Sequence, residues 1–224
     1  MSWLTRSGKQ ALLWCGYEVK RRPDLMMIRR VNRRRNRVAS SDFAGASGLR
    51  LNLGSGFAPL DGYVNVDVQE LPEVDVVAAV DELGVFPDGC ASEVRMDAVY
   101  EHLYNFERPR ALAEWYRVLA PGGLVQLNWV PDFELVIAKY LEQAPGLTGP
   151  IFDLKHAANL LSGLYTPFDV PPMLHKDLFT KDSVRAELTA AGFEVEAITN
   201  PCYVNEAYPV TLCASGRKPA GRQP

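Results

Sequence analysis

From Leu49 onward, short apolar runs alternate with stretches whose apolar positions recur at helical spacing, a pattern that predicts βαβ units on a mostly parallel sheet. Strands are expected near 49–53, 63–67, 74–79, 93–97, 123–129, 193–199 and 209–215. The best-marked helix is expected over 107–120. Pro109 suits its first turn, Leu112, Trp115, Tyr116 and Leu119 share a face, and Pro121-Gly122-Gly123 is placed to stop it. A second helix starts from Thr180 as cap and lines up Val184, Leu188 and Ala191. It ends at Gly192, where a left-handed residue is wanted before the strand FEVEAI. Two further helices are read at FELVIAKYL, after Asp132, and over 151–161.

The first 48 residues differ in kind. Trp3, Leu4, Ala11, Trp14 and Cys15 fall within one third of a helical wheel, which predicts a short amphipathic helix ended by Pro23. The arginines at 29, 30, 33, 34, 35 and 37 follow, then a Ser/Ala/Gly stretch over 39–48 that reads as a linker. Residues 1–50 hold 12 of the 24 Lys and Arg but three acidic residues, a net +9 that leaves the remainder at −12. The chain is thus a basic arm (1–48) on an acidic body (49–216), with a loop or lid insertion expected about 145–180 and a tail at 217–224.

At 47% apolar composition, 224 residues can bury one substantial core but not two catalytic domains. Cys15, Cys90, Cys202 and Cys213 form no CxxC pair or metal-ligand spacing, so free thiols in a reducing compartment are expected. The longest apolar run near the start, 11–15, is too short for a signal core or a membrane span. A cytoplasmic protein, peripheral at the inner membrane face if the arm binds there, is the expectation.

The strand Leu51-Asn52-Leu53 runs into Gly54-Ser55-Gly56, a turn in which a ligand can approach bare backbone. Tyr63-Val64-Asn65-Val66-Asp67 then ends in a carboxylate where the ribose hydroxyls of a nucleoside cofactor would lie. A dinucleotide site would want a third glycine, and Pro59 stands in its place, which argues against NAD or FAD.

The runs LNLGSGFAPLDGYVNVDV, VDVVAAVDELGVFPDGCASEVRMDAVYEHL and PRALAEWYRVLAPGGLVQLNWVPDFE together resemble the class I S-adenosylmethionine-dependent methyltransferases. The resemblance is strongest to a small branch linked with sugar and polysaccharide assembly. It implies a Rossmann-like, seven-stranded, mostly parallel sheet flanked by helices, with S-adenosylmethionine as cofactor. It places Gly54 and Gly56 against the methionine and ribose, with Leu53 and Ser55 beside them. By the same resemblance Asp67 holds the ribose hydroxyls next to Val68, Asp81 approaches the adenine amino group, and Met96 and Asp97 line the pocket near the reacting sulfur. Two departures stand out: Asn52 replaces the acidic residue that often opens the glycine motif, and ten residues separate Gly56 from Asp67, too few for a helical crossover.

Methyl transfer needs alignment of donor and acceptor, and a hydroxyl acceptor must also lose a proton. His175, His102 and Asp132 are the candidate bases. His175 lies in the proposed lid, and His102 and Asp132 follow strands four and five at the cofactor edge; Asp132 reads equally as a helix cap. His156 reads as helical. No spaced cluster declares a metal site, so none is expected. The expected acceptor is a hydroxyl of a sugar, glycan or glycolipid intermediate or another small molecule. The basic arm is read as a solvated extension, a contact with anionic membrane, or, less favoured, a nucleic-acid contact. A nicotinamide-dependent oxidoreductase and a non-catalytic adaptor on the same fold are the competing readings.

Overall fold

The computed structural model describes residues 17–22, 25–30, 40–144, 151–163, 174–202 and 208–221. In the arm, strands β1 (Tyr17–Arg22) and β2 (Leu25–Arg30) pair antiparallel, Tyr17 opposite Arg30 and Arg22 opposite Leu25. The expected helix ending at Pro23 is therefore replaced, over 17–22, by a strand. The physical reason lies in the period: Tyr17 and Val19 alternate with Glu18 and Lys20, a two-residue repeat of β-prone side chains, and a turn-forming Pro-Asp pair follows. Trp3, Leu4, Ala11, Trp14 and Cys15 lie outside the described residues.

Seven strands build the main sheet: β3 (Leu49–Leu53), β4 (Val64–Asp67), β5 (Val76–Val77), β6 (Ala91–Asp97), β7 (Leu119–Pro131), β8 (Glu194–Thr199) and β9 (Thr211–Arg217). Their order is β5-β4-β3-β6-β7-β9-β8. The first five are parallel, while β9 enters antiparallel between β7 and β8. All seven coincide with the expected positions to within a few residues. The order reverses between the neighbouring strands β3 and β6, and the carboxyl ends of strands at such a reversal are where α/β sheets bind ligands.

Leu51, Leu53, Val66, Val94, Met96, Val125, Leu127, Leu212 and Ala214 are the inward residues, and they pack with Leu112 and Trp115 of α1 (Arg108–Val118) and Val184 and Leu188 of α4 (Lys181–Ala190). Alternation sends polar residues the other way: Arg50 pairs with Glu93 at 2.9 Å, Tyr63 donates to Glu93 at 2.6 Å, and Arg217 pairs with Glu196 at 2.6 Å. A smaller core joins α2 (Phe133–Leu141) to α3 (Leu154–Ser162) through Val136, Phe152, Ala157, Leu160 and Val210.

Both punctuated helices begin as expected. Thr180 and Ser183 form a reciprocal capping box on α4, and Gly192 has φ +92° with Tyr116 packed against it. α1 ends earlier than expected, at Val118, because Leu119 is already extended and strand β7 starts there. Pro121-Gly122-Gly123 is absorbed in the strand as an irregularity in its pairing with β6. The ammonium of Lys218 then caps the helix end, donating to the carbonyls of Tyr116 and Leu119 at 2.8 and 2.7 Å.

No helix intervenes between β3 and β4, between β4 and β5, or between β5 and β6, all of whose connections are described. Asparagines hold the first of these short crossovers. Asn52 donates to Asn65 at 2.9 Å and to the Ala58 carbonyl at 3.3 Å, and the same Asn65 oxygen accepts from the Leu60 backbone at 2.8 Å. An acidic residue at 52 could not donate to Asn65 or Ala58, which accounts for asparagine there.

Candidate active site

Buried Leu53 ends β3, and the chain turns at once. The amides of Gly54 and Ser55 both donate to the Val66 carbonyl, at 2.8 and 3.0 Å, so the turn is pinned to the end of β4. Gly54 has φ +69°, and a Cβ there would stand 2.5 Å from Cγ2 of Val99. Both facts require glycine. The Asp67 carboxylate points into this turn: one oxygen accepts from the Gly56 amide at 2.9 Å, the other from Gln69 at 2.8 Å. Burial raises the pKa of Asp67, against the opposing pull of the Gln69, Gly56 and Val68 backbone.

The surroundings of this rim are unusual for a purely structural turn. Ser55 Oγ and Gln69 Oε1 are buried with no hydrogen-bond partner among the described residues, and orphans of this kind are rare unless something else satisfies them. Val68, next to Asp67, is 68% exposed, an apolar side chain held out beside a polar rim.

The other expected cofactor residues are distributed differently. Asp81 is buried and ion-paired with Arg110. Met96 belongs to the main core, and Asp97, on the opposite face of β6, is held by Arg95 at 3.0 Å and by Asn128 at 2.8 Å. Beyond Asp97 the chain passes through Ala98, in the left-handed region at φ +52°, and brings Val99 over Gly54. The short 3-10 turn Tyr100–His102 follows.

That turn carries a cluster. His102 and His175 meet edge to face with ring centroids 5.1 Å apart, and one donor atom each from Glu101, His102 and His175 lie within 4.8 Å of one another. His102 Nδ1 lies 3.2 Å from the Leu174 carbonyl, which it can reach only as a donor, and the Lys176 amide donates to the Glu101 carbonyl at 2.8 Å. Glu101 is 2% exposed, and burial lifts its carboxyl pKa to about 8. Burial lowers both imidazoles, and for His175, with the neighbouring His102 charge, the value falls to about 4.

Two of the three candidate bases thus come together; the third does not join them. Asp132 caps α2: one oxygen accepts from the Glu134 and Leu135 amides and the other from Asn200 at 2.9 Å. His156 pairs with Asp153 at the start of α3. Of the expected lid, residues 145–150 and 164–173 lie outside the described residues, and α3 occupies much of the rest.

Arg108 fastens the segment that carries His175. Buried at the start of α1, it reaches Asp177 at 2.8 Å and Glu187 at 2.9 Å, and its guanidinium lies over the Phe179 ring. Arg108→Met is expected to cost about 2–3 kcal/mol, below the full penalty of a buried pair because both acidic partners are partly exposed. Urea unfolding checks it, and a loss under about 0.5 kcal/mol, the usual size of a surface substitution, would contradict the assignment. A cavity of about 460 Å³ opens beside this arginine, between α1 and α4. It is lined by Leu112, Ala113 and Ala190 among others, and does not include the glycine turn, Asp67 or the histidines.

Sequence reasoning missed Val99 and Glu101. Val99 carries no chemical signal, since only the fold shows that it covers Gly54. Glu101 lies at the end of the run VDVVAAVDELGVFPDGCASEVRMDAVYEHL, but a glutamate one residue from a histidine reads as solvated until its burial is known.

A methyltransferase-domain family profile matches residues 60–127. A demethylmenaquinone methyltransferase of Thermus thermophilus is 31% identical over 115 residues, 49% of this chain and 47% of the relative, so the chain matches about half the length of that protein. Among solved structures, an S-adenosylmethionine-dependent methyltransferase from Listeria monocytogenes superposes with a TM-score of 0.53 at 16% identity, covering 77% of this chain and 92% of the other. A 1,6-didemethyltoxoflavin-N1-methyltransferase of Burkholderia thailandensis, solved with its substrate and S-adenosylhomocysteine, gives 0.51 at 17% identity over 82% and 77%. These likenesses and the strand order agree: the chain has the class I methyltransferase fold, and its residues 60–127 match the methyltransferase domain family.

Proposed function

We propose that this protein is an S-adenosylmethionine-dependent methyltransferase acting on a small molecule, specifically a hydroxyl of a sugar, glycan or glycolipid intermediate. The observation that carries the reading is the Asp67 carboxylate turned onto the Gly54–Gly56 backbone at the rim where the strand order reverses. The residues present fit the cofactor. The orphaned Ser55 and Gln69 oxygens offer hydrogen-bonding capacity, and exposed Val68 offers an apolar surface to the adenine.

S-adenosylmethionine supplies an activated methyl group, so the protein's part is to hold and align. Asp67 accepts from the ribose hydroxyls while keeping the turn closed through Gly56. Gly54, Gly56, Leu53 and Ser55 form the floor. Asp81, tied to Arg110, fixes the far rim near the base, and Met96 and Asp97 set the end of β6. The cluster at His102 and His175 takes the acceptor's proton. Alignment of this kind can contribute about 7–11 kcal/mol to lowering the barrier.

A sugar acceptor is supported by Tyr104 and Phe106, two residues and four residues past His102. Both rings are exposed, and they stack at 5.2 Å and 11°, a flat apolar surface of the kind that carbohydrate C–H faces cover. The arm, at net +9 through residue 50, would hold such an enzyme to an anionic membrane surface. No helix among the described residues is long and apolar enough to cross a membrane.

Calorimetric titration with S-adenosylhomocysteine tests the core of the reading, and absence of heat at millimolar ligand would remove it. With radiolabelled methyl donor and an extract of sugar and lipid intermediates, Tyr104→Ala is expected to raise the acceptor KM and leave cofactor affinity unchanged. Equal labelling by the variant at low acceptor concentration would count against a sugar bound there.

A further inference from the structure

The cluster at the end of β6 has the composition of a metal site. From the convergence of Glu101, His102 and His175 we infer that the protein binds one divalent transition-metal ion of the zinc class through these three side chains. The inference goes beyond the methyltransferase reading, on which only the ion's role depends.

Four observations converge. One donor atom from each side chain already lies within 4.8 Å of the other two. Ligands of one tetrahedral Zn²⁺ stand about 3.4 Å apart at Zn–N distances of about 2.0–2.1 Å, so binding asks for closure by at most about 1.4 Å. Second, Glu101 Oε2 is buried without a hydrogen-bond partner among the described residues, on a side chain 2% exposed. A carboxylate sealed in this way lacks the counter-charge that a cation would provide.

Third, His102 Nδ1 faces the Leu174 carbonyl at 3.2 Å, which fixes the tautomer with its proton on Nδ1 and its lone pair on Nε2. Histidines that ligate metals are characteristically oriented by such a backbone acceptor. Fourth, the site has a rigid frame. Both imidazoles are largely buried, and the segment bearing His175 is tied down by the Lys176 amide to Glu101 and by Asp177 to Arg108.

Two imidazole nitrogens and one carboxylate suit Zn²⁺, Co²⁺ or Fe²⁺ and not Mg²⁺ or Ca²⁺, which prefer all-oxygen shells. Three protein ligands leave at least one position open, the arrangement of catalytic rather than structural zinc. If the methyltransferase reading holds, an acceptor hydroxyl taking that position would release its proton to solvent water more readily, and the histidines would act as ligands instead of bases.

The test is Co²⁺ titration of the full chain followed by visible absorption, with Zn²⁺ competition by calorimetry and S-adenosylhomocysteine binding measured in parallel. One equivalent of Co²⁺ is expected to give ligand-field bands that Zn²⁺ abolishes and Mg²⁺ does not. Glu101→Gln, isosteric and uncharged, and His175→Ala should each weaken Zn²⁺ by more than about 100-fold, the upper end of what loss of an outer-shell partner costs. His156→Ala should leave the bands intact. Absence of bands from the folded wild type, or bands that persist in both Glu101→Gln and His175→Ala, overturns the proposal. Circular dichroism of each variant separates lost ligation from lost fold, and His102→Asn serves if either variant unfolds. Failure of cofactor binding with intact Co²⁺ bands would overturn the methyltransferase reading alone.

Discussion

Replacing Asp67 with alanine is expected to weaken S-adenosylhomocysteine binding by roughly 10- to 150-fold, the equivalent of about 1.5–3 kcal/mol for hydrogen bonds made by a charged group. The carboxylate has two tasks. It accepts from Gly56 and Gln69 in the protein itself, and it retains lone pairs for the ribose. Asp67→Asn keeps one acceptor oxygen and should fall between wild type and alanine. The pH profile gives a second readout with a definite sign. Burial raises the pKa of this group, so its ionisation costs stability as pH rises through the folded value, whereas ligand binding favours the ionised form. Affinity is therefore expected to decline as pH falls, beginning at a higher pH than an ordinary aspartate would dictate, and Asp67→Asn should lack that decline. Titration calorimetry between pH 4 and 8 checks both; an alanine variant that binds within twofold of wild type would refute the role.

Gly54→Ala should be the most damaging single methyl group that can be added to the rim. Its φ of +69° costs an L-residue about 1–2 kcal/mol, and the new Cβ would stand 2.5 Å from Val99 Cγ2. Overpacking of this kind adds about 1–3 kcal/mol, for a combined loss near 2–5 kcal/mol. For a chain of this size each kcal/mol lowers Tm by about 2–4 °C. Val99→Ala placed in the same molecule removes the overlap but not the backbone strain. The double variant should thus recover part of the stability, with a coupling of about 1–2 kcal/mol in a double-mutant cycle. Strict additivity would mean that Val99 does not cover the turn.

The positions of the strands were legible because burial on a sheet enforces a local rule: apolar side chains at every second residue, bounded by glycine and proline. Thr180, Asp132 and Gly192 were equally readable, since capping depends on residues within three or four positions of each other. The glycine turn and Asp67 were visible through the strands that they end. Failures of the local reading have local causes too. Over 17–22 a two-residue period prevails over the helical spacing of the residues before it, and Pro121-Gly122-Gly123 falls inside β7 instead of stopping a helix.

What sequence determined alone is the sheet, its punctuation and the rim at Gly54–Asp67, all products of short-range pattern. Only the tertiary structure decided that Val99 seals Gly54, that Asn200 takes the second oxygen of Asp132, and that Glu101 and His102 meet His175. His175 stands 73 positions from His102, beyond the reach of any local sequence period. It arises because Arg108 draws Asp177 and Phe179 against the first turn of α1, a long-range ion pair in a place that local periodicity does not reach.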